Sequence, residues 1–245
     1  MNNRIREYDY IRALAVILVI AGHALYTSPN SPYGGISIDV SKGLVHDWLN
    51  DVRDWIFVFH MPLFFALSGA VFAYGLSRRG LPRFKSFAKG KAKRLLVPFL
   101  LVNILYVVPL KLFSGYFDAS YAAGGVIGVL HDILIGHFSW LIMNHLWFLA
   151  SLFWIFMMAW GIERSGLSRH RVVFVLALMC VWMMMMKNNE VTFPYKFGVP
   201  RALINLPWFY LGYALELNRD KVNSFITKYI NWGGGSRTPY ATSRF

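Results

Sequence analysis

Charge is scarce in this chain of 245 residues: Asp, Glu, Lys and Arg together make up 15% of it, where ordinary soluble domains carry about a quarter. Acids are the scarcer sign, 12 against 25 Lys and Arg, which leaves a formal net charge of +13. Cysteine is confined to Cys180, so no intramolecular disulfide can form and cysteine usage says nothing of redox compartment. No internal repeat is evident, which weighs against a transporter built from two related halves. There is no G-x-S-x-G elbow to mark a serine nucleophile. What fills the sequence instead is apolar: residues of the set AVILMFWYC reach 56%, aromatics 17%, and mean hydropathy is +0.43. These values describe an all-α, polytopic transmembrane helix bundle. In a soluble chain so basic a balance would point to nucleic acid. Here the bases fall between apolar segments, as orientation in a membrane requires, and no nucleic-acid partner is expected.

At about 20 apolar residues per crossing, six spans are expected near 10–27, 55–76, 95–113, 145–162, 171–187 and 201–217. The stretch "VIGVLHDILIGHFSWLIM" (126–143) is interrupted by His131, Asp132 and His137, and reads as an interfacial or re-entrant helix, with a seventh full span as the alternative. The segment 77–94 holds eight bases, Arg78 to Arg94, and no acid, while 114–143 has no Lys or Arg and 27–54 is slightly acidic. That asymmetry sets the N-terminus and the 77–94 segment in the cytoplasm and the 27–54 segment outside. Arg4 and Arg6 before an apolar run resemble a signal peptide, but Arg12 within the run and the spans beyond it favour an uncleaved first helix. Residues 1–217 form the membrane domain. Residues 218–245 form a basic cytoplasmic segment with a Gly-rich, polar tail that reads as flexible or unnatural.

Two polar residues stand out in "YDYIRALAVILVIAGHAL" (8–25). Arg12 and His23 are eleven residues apart, about three helical turns, so both project from nearly one face roughly 16 Å apart along the axis. A snorkelling role would explain Arg12 alone. A charge within a span is otherwise expensive and usually functional. With the orientation above, His23, His60 and His145 come to similar depth near the external face, on three different helices. Each could be a packing residue, but together they could line one chamber. They include no i,i+3 or i,i+4 His pair and no acidic partner, so no metal is expected. Ser68, beside Gly69, suits close helix packing better than nucleophilic chemistry.

These features resemble a known family. Arginine, ten residues and histidine in the first helix, here Arg12 and His23, is the opening motif of the acyltransferase-3 family of bacterial integral-membrane O-acyltransferases. "FVFHMPLFFALSGAVF" (57–72), with His60, Pro62, Ser68 and Gly69, is similar to the second-helix signature. "KAKRLLVPF" (91–99) resembles the Arg-rich entry to the third helix, and "HLWFLASLFW" (145–154) and "LPWFYLGYAL" (206–215) look like two later signatures. Five motifs in order cover residues 8 to 216. Members typically have about ten spans, so this chain is expected to be C-terminally shortened.

The resemblance implies a bacterial inner-membrane O-acyltransferase, most simply an O-acetyltransferase. It would move an acyl group from cytoplasmic acyl-CoA, acetyl-CoA first, to a hydroxyl of an extracytoplasmic glycan or lipid-linked sugar. His23 is expected as general base and Arg12 as the residue that meets donor phosphate or pantetheine. Arg94 would assist with the donor, and His60, His145 and Ser68 would face the substrate. A transporter or flippase with an Arg/His pathway is the alternative, and an inactive fragment the third reading.

Overall fold

The computed structural model describes residues 6–24, 44–107, 109, 146–187 and 198–233, and every regular element among them is helical. Helix α1 is Arg6–Ala24, α2 is Leu44–Arg79, and α3 is Phe84–Val102, continued by a π-helical stretch at Asn103–Val107. Helix α4 is Trp147–Ser165, and a 3-10 turn at Leu167–Arg169 leads to α5, Arg171–Lys187. Helix α6 is Val199–Leu217 and α7 is Arg219–Gly233. Helix α5 coincides with its expected span, and α6 ends where expected. The stretch expected to be re-entrant, 126–143, and the tail from 234 lie outside the described residues.

Two expected boundaries move. Helix α2 begins eleven residues early, because 44–61 contains no Gly or Pro and Trp48, Val52 and Trp55 recur at helical spacing. The basic segment 77–94 is not a loop. Only Gly80–Arg83 breaks the helices, and the bases from Lys85 to Arg94 ride on the first turns of α3. The break is local chemistry: Gly80 takes φ 68° and its N–H donates to Leu76 O at 2.8 Å. A left-handed glycine of this kind closes a helix.

Among the described residues, one stretch is long and apolar enough to cross a membrane, Asp51–Arg79, with a mean hydropathy of 2.0 over its best window. Val173–Met183 is a shorter apolar helix.

Side-chain pairs fix the helix directions. Phe65 meets Trp147 and Phe72 meets Phe156, so α2 and α4 run parallel. Arg201 meets Trp147 and Tyr213 meets Glu163, so α6 is parallel to α4. Phe84 pairs with Trp160 and Phe87 with Phe156, so α3 is antiparallel to α4. Phe174 pairs with Tyr210 and Trp182 with Trp208, so α5 opposes α6. Helix α1 opposes α2 and α6, since Gly22 abuts Ile56 while Arg219 pairs with Glu7. The ends of α2, α4 and α6 thus gather with the starts of α1, α3 and α5. Arg78, Arg79, Lys85, Arg164 and Arg219 all lie at this end of the bundle.

The core lies where α2, α4 and α6 meet. Phe72 sits at its centre, with Phe87, Phe156, Phe209 and Tyr213 at ring-centroid distances of 5.9, 5.8, 5.7 and 6.2 Å. Such tilted and edge-on pairs add to the burial of the rings. Helices α2 and α6 approach backbone to backbone at Gly69 and Gly212. A Cβ at Gly69 would stand 1.8 Å from Phe209 O, and one at Gly212 would stand 1.8 Å from Ala66 O. At the basic end the Glu163 carboxylate accepts from Tyr213 Oη at 2.8 Å and Tyr210 Oη at 3.3 Å, fastening α4 to α6. Trp160 Nε1 donates to Pro82 O at 2.9 Å and ties the α2–α3 turn to α4.

Candidate active site

Helix α1 carries the two residues singled out first. Arg12 is exposed, two turns from the start of α1 and therefore toward the basic end. His23 stands at the opposite end of the same helix. Its neighbour Gly22 packs on α2, where an added Cβ would lie 3.1 Å from Ile56 Cγ2 and 3.5 Å from Phe57 Cε1. His60 follows one turn along α2. It is buried, and its Nδ1 lies 2.8 Å from Ile56 O. Because a carbonyl only accepts, Nδ1 carries the proton, and a neutral ring so held keeps Nε2 as an acceptor. The Phe57 ring leans on the imidazole at 5.3 Å. The backbone of His23 and the ring of His60 therefore share one level of the bundle. The side chain of His23 and the whole of His145 lie outside the described residues.

Ser68 is half-buried, and its Oγ donates to Phe64 O at 2.9 Å within its own helix. Its neighbour Gly69 supplies the close approach to α6. Arg94 is exposed on α3, one turn beyond Lys91 on the side away from the basic end.

Three further groups have a character that the sequence pattern does not reveal. Lys91 entered only as one base among eight. Its Nζ lies 3.2 Å from the centre of the Phe156 ring and 5.4 Å from that of Phe87, a cation–π geometry. Burial, and secondarily the nearby Arg94 charge, push its pKa down to about 8. Arg201 stands at the other end of the bundle with its Cζ 4.4 Å from the Trp147 ring, and Trp147 lies 6.2 Å from Phe65. A base opening a span on the side where bases are few was the signal available in the sequence. Asn103 is fully buried where α3 becomes π-helical. Its Nδ2 donates to Phe99 O at 2.7 Å, and its Oδ1 is without a partner among the described residues. A π-helical turn frequently marks a functional position.

The bundle thus has two chemically distinct ends. One is basic, with Arg12 on its side, and the other gathers His60, Asn103 and the Trp147–Arg201 pair.

Comparisons with known proteins agree with the motifs. Nodulation protein NolL of Mesorhizobium japonicum is 32% identical over 102 residues, which are 40% of this chain and 23% of that protein. NolL of Sinorhizobium fredii is 31% identical over 100 residues, again 40% of this chain and 23% of the relative. The matched stretch thus spans under a quarter of the length of these relatives. No solved structure matches. The profile described as an acyltransferase domain matches residues 5–236, nearly the whole chain. On that match, and on the order of its motifs, the chain belongs to the acyltransferase-3 family.

Proposed function

We propose that this chain is a multi-pass inner-membrane O-acyltransferase, with its basic end in the cytoplasm, that passes an acyl group from acyl-CoA to an extracytoplasmic hydroxyl. The observation that carries the reading is the match to the acyltransferase domain with Arg12 and His23 seated on one helix between the two ends. Apolar residues exposed along α1 and α5, among them Leu14, Ile17, Ile20, Val173 and Leu176, support a lipid surround. Patches of that kind are rare on water-soluble monomers.

In this reading the donor's phosphates meet the bases of the cytoplasmic end, with Arg12 and Arg94 as the guanidinium forks. The acceptor enters at the other end, near His60 and the Trp147–Arg201 pair, and is a glycan or lipid-linked sugar. The His23 imidazole takes the hydroxyl proton as the oxygen attacks the thioester carbonyl. The C–S bond breaks, the acyl group forms an ester with the acceptor, and the proton passes from His23 to the departing thiolate. His60 is held in one tautomer by the Ile56 carbonyl and serves to orient the acceptor. Acetyl is the acyl group proposed first.

Sealed membrane vesicles test the sidedness directly. Inside-out vesicles containing the protein should incorporate label from radioactive acetyl-CoA into a glycan or lipid-linked fraction, and right-side-out vesicles should not. Incorporation in the right-side-out preparation, or movement of a sugar-lipid across the bilayer without acylation, overturns the proposal.

Lys91 gives a pH signature. Held down to about 8 from 10.5, its ammonium is present below that pH and lost above it. If the charge attracts donor phosphate, KM for acyl-CoA rises as pH increases through 8. Lys91→Arg, which stays charged, should flatten that rise. The same shift makes folding stability increase with pH between about 8 and 10.5, because there the unfolded lysine binds more proton than the native one. A parental KM profile that is flat through pH 8 would exclude Lys91 from the donor site.

A further inference from the structure

Helix α7 is set apart from the bundle. Asn218 closes α6: its N–H donates to Ala214 O and Leu215 O at 3.1 and 3.2 Å, and its Nδ2 to Ala214 O at 2.8 Å. Val222 N–H then donates to Asn218 O at 3.0 Å and opens the new helix. Its first residue is tethered at the basic end. Arg219 pairs with Glu7 and, at 3.9 Å, with Glu216, and its Cζ is 5.8 Å from the Tyr8 ring.

Beyond that tether the helix is exposed and strongly two-sided. Val222, Phe225, Ile226 and Tyr229 recur at the i, i+3, i+4, i+7 spacing of one stripe. Phe225 is 61%, Ile226 47% and Tyr229 57% exposed, and the rings of Phe225 and Tyr229 touch at 4.5 Å. Lys221 and Lys228, both exposed, are seven residues apart and so fall on the same flank of the stripe. Asn223, Ser224 and Thr227 face the other way, and Asp220 is the one acid of the helix. Apolar stripe, flanking lysines and polar back are the arrangement of a helix lying in the plane of a membrane surface.

We infer that α7 lies on the anionic phospholipid headgroups of the leaflet at the basic end, with Phe225, Ile226 and Tyr229 at the acyl boundary and Lys221 and Lys228 on lipid phosphate. Charge complementarity selects this occupant. Helix α7 carries Arg219, Lys221 and Lys228 against Asp220, and its tether to Glu7 sets it at the same end of the bundle as Arg78, Arg79 and Lys85. A tether at the end of α6 places it at the depth where a span leaves the bilayer. The inference rests on the membrane reading above.

The two are separable by experiment. With Cys180→Ser as background, a fluorophore sensitive to polarity is attached at Ile226→Cys, Thr227→Cys or, as a control within the expected span, Val71→Cys. The full chain is placed in nanodiscs of phosphatidylcholine, with or without phosphatidylglycerol. Quenching by headgroup-proximal spin-labelled lipid should be about twofold stronger at 226 than at 227, as expected for an interfacial helix. It should increase with phosphatidylglycerol and fall in Lys221→Gln/Lys228→Gln. Equal quenching at 226 and 227 overturns the inference, as does a 226 signal shielded from water but untouched by lipid quencher, which indicates a protein partner. A 226 signal indifferent to phosphatidylglycerol removes the anionic lipid. Absence of quenching at 71 by lipid spin-labelled along the acyl chain overturns the membrane reading itself.

Discussion

Gly212→Val should all but eliminate folded protein, and Gly69→Val should do the same, whereas Gly161→Ala should be neutral or slightly favourable. At the first two positions a Cβ meets main-chain atoms of the facing helix, Ala66 O and Phe209 O, both at 1.8 Å. Backbone has no rotamer by which to yield, so α2 and α6 must separate along the seam that holds Phe65, Phe72, Phe209 and Tyr213. Overpacking commonly costs about 1–3 kcal/mol and more where nothing can move, and here the displaced unit is a whole helix. At Gly161 an added Cβ finds nothing within 4 Å, and replacing a mid-helix glycine by alanine gains about 1 kcal/mol of helix propensity. Fluorescence-detected size-exclusion chromatography of detergent extracts measures the outcome. A normal monodisperse yield of Gly212→Val would show that the α2–α6 contact is not as close as described.

His23→Ala should lower acyl transfer by about 10²–10⁴, the usual worth of general-base assistance, with yield and membrane insertion nearly unchanged. Arg12→Lys is its informative partner. It keeps the charge but loses the planar fork, so a residue that only snorkels or sets topology tolerates the change and a bidentate phosphate contact does not. Arg12 is exposed on α1, so its replacement removes no core packing. Both variants are to be compared with the parent by initial rates over a range of acyl-CoA concentration. His23→Ala acting at the parental rate would return His23 to a structural role. Arg12→Lys with an unchanged KM for acyl-CoA would remove Arg12 from the donor contact.

Much of the helical plan was legible because long apolar runs are a composition signal, indifferent to what packs on what, although only Asp51–Arg79 among the described residues is long and apolar enough to cross a membrane. Helix α5 matches its expected bounds for that reason. The boundaries that moved are those where polar residues continue a helix. By composition the bases after Arg83 and the acids before Trp55 read as loop, yet no Gly or Pro interrupts 44–61, and between 77 and 94 only Gly80–Arg83 breaks the helices. The Arg12–His23 spacing was readable because helical geometry is fixed, and Gly69 because a small residue within a span predicts a close neighbour. Lys91 and Arg201 were not readable as more than charges. Their character comes from Phe156 and Trp147, which are 65 and 54 residues away in sequence.

The sequence by itself determined that the chain is helical, which end of the bundle is basic, and to which family it belongs, since these follow from hydropathy, charge placement and short motifs with fixed spacing. Only the tertiary structure decided that α2 and α6 pack face to face, that Gly69 and Gly212 let their two backbones touch, and that the His60 ring is bound to the Ile56 carbonyl. It also decided that the Lys91 ammonium lies over the face of the Phe156 ring. Those outcomes depend on which faces meet across many residues of chain, and local pattern specifies a face without naming its partner.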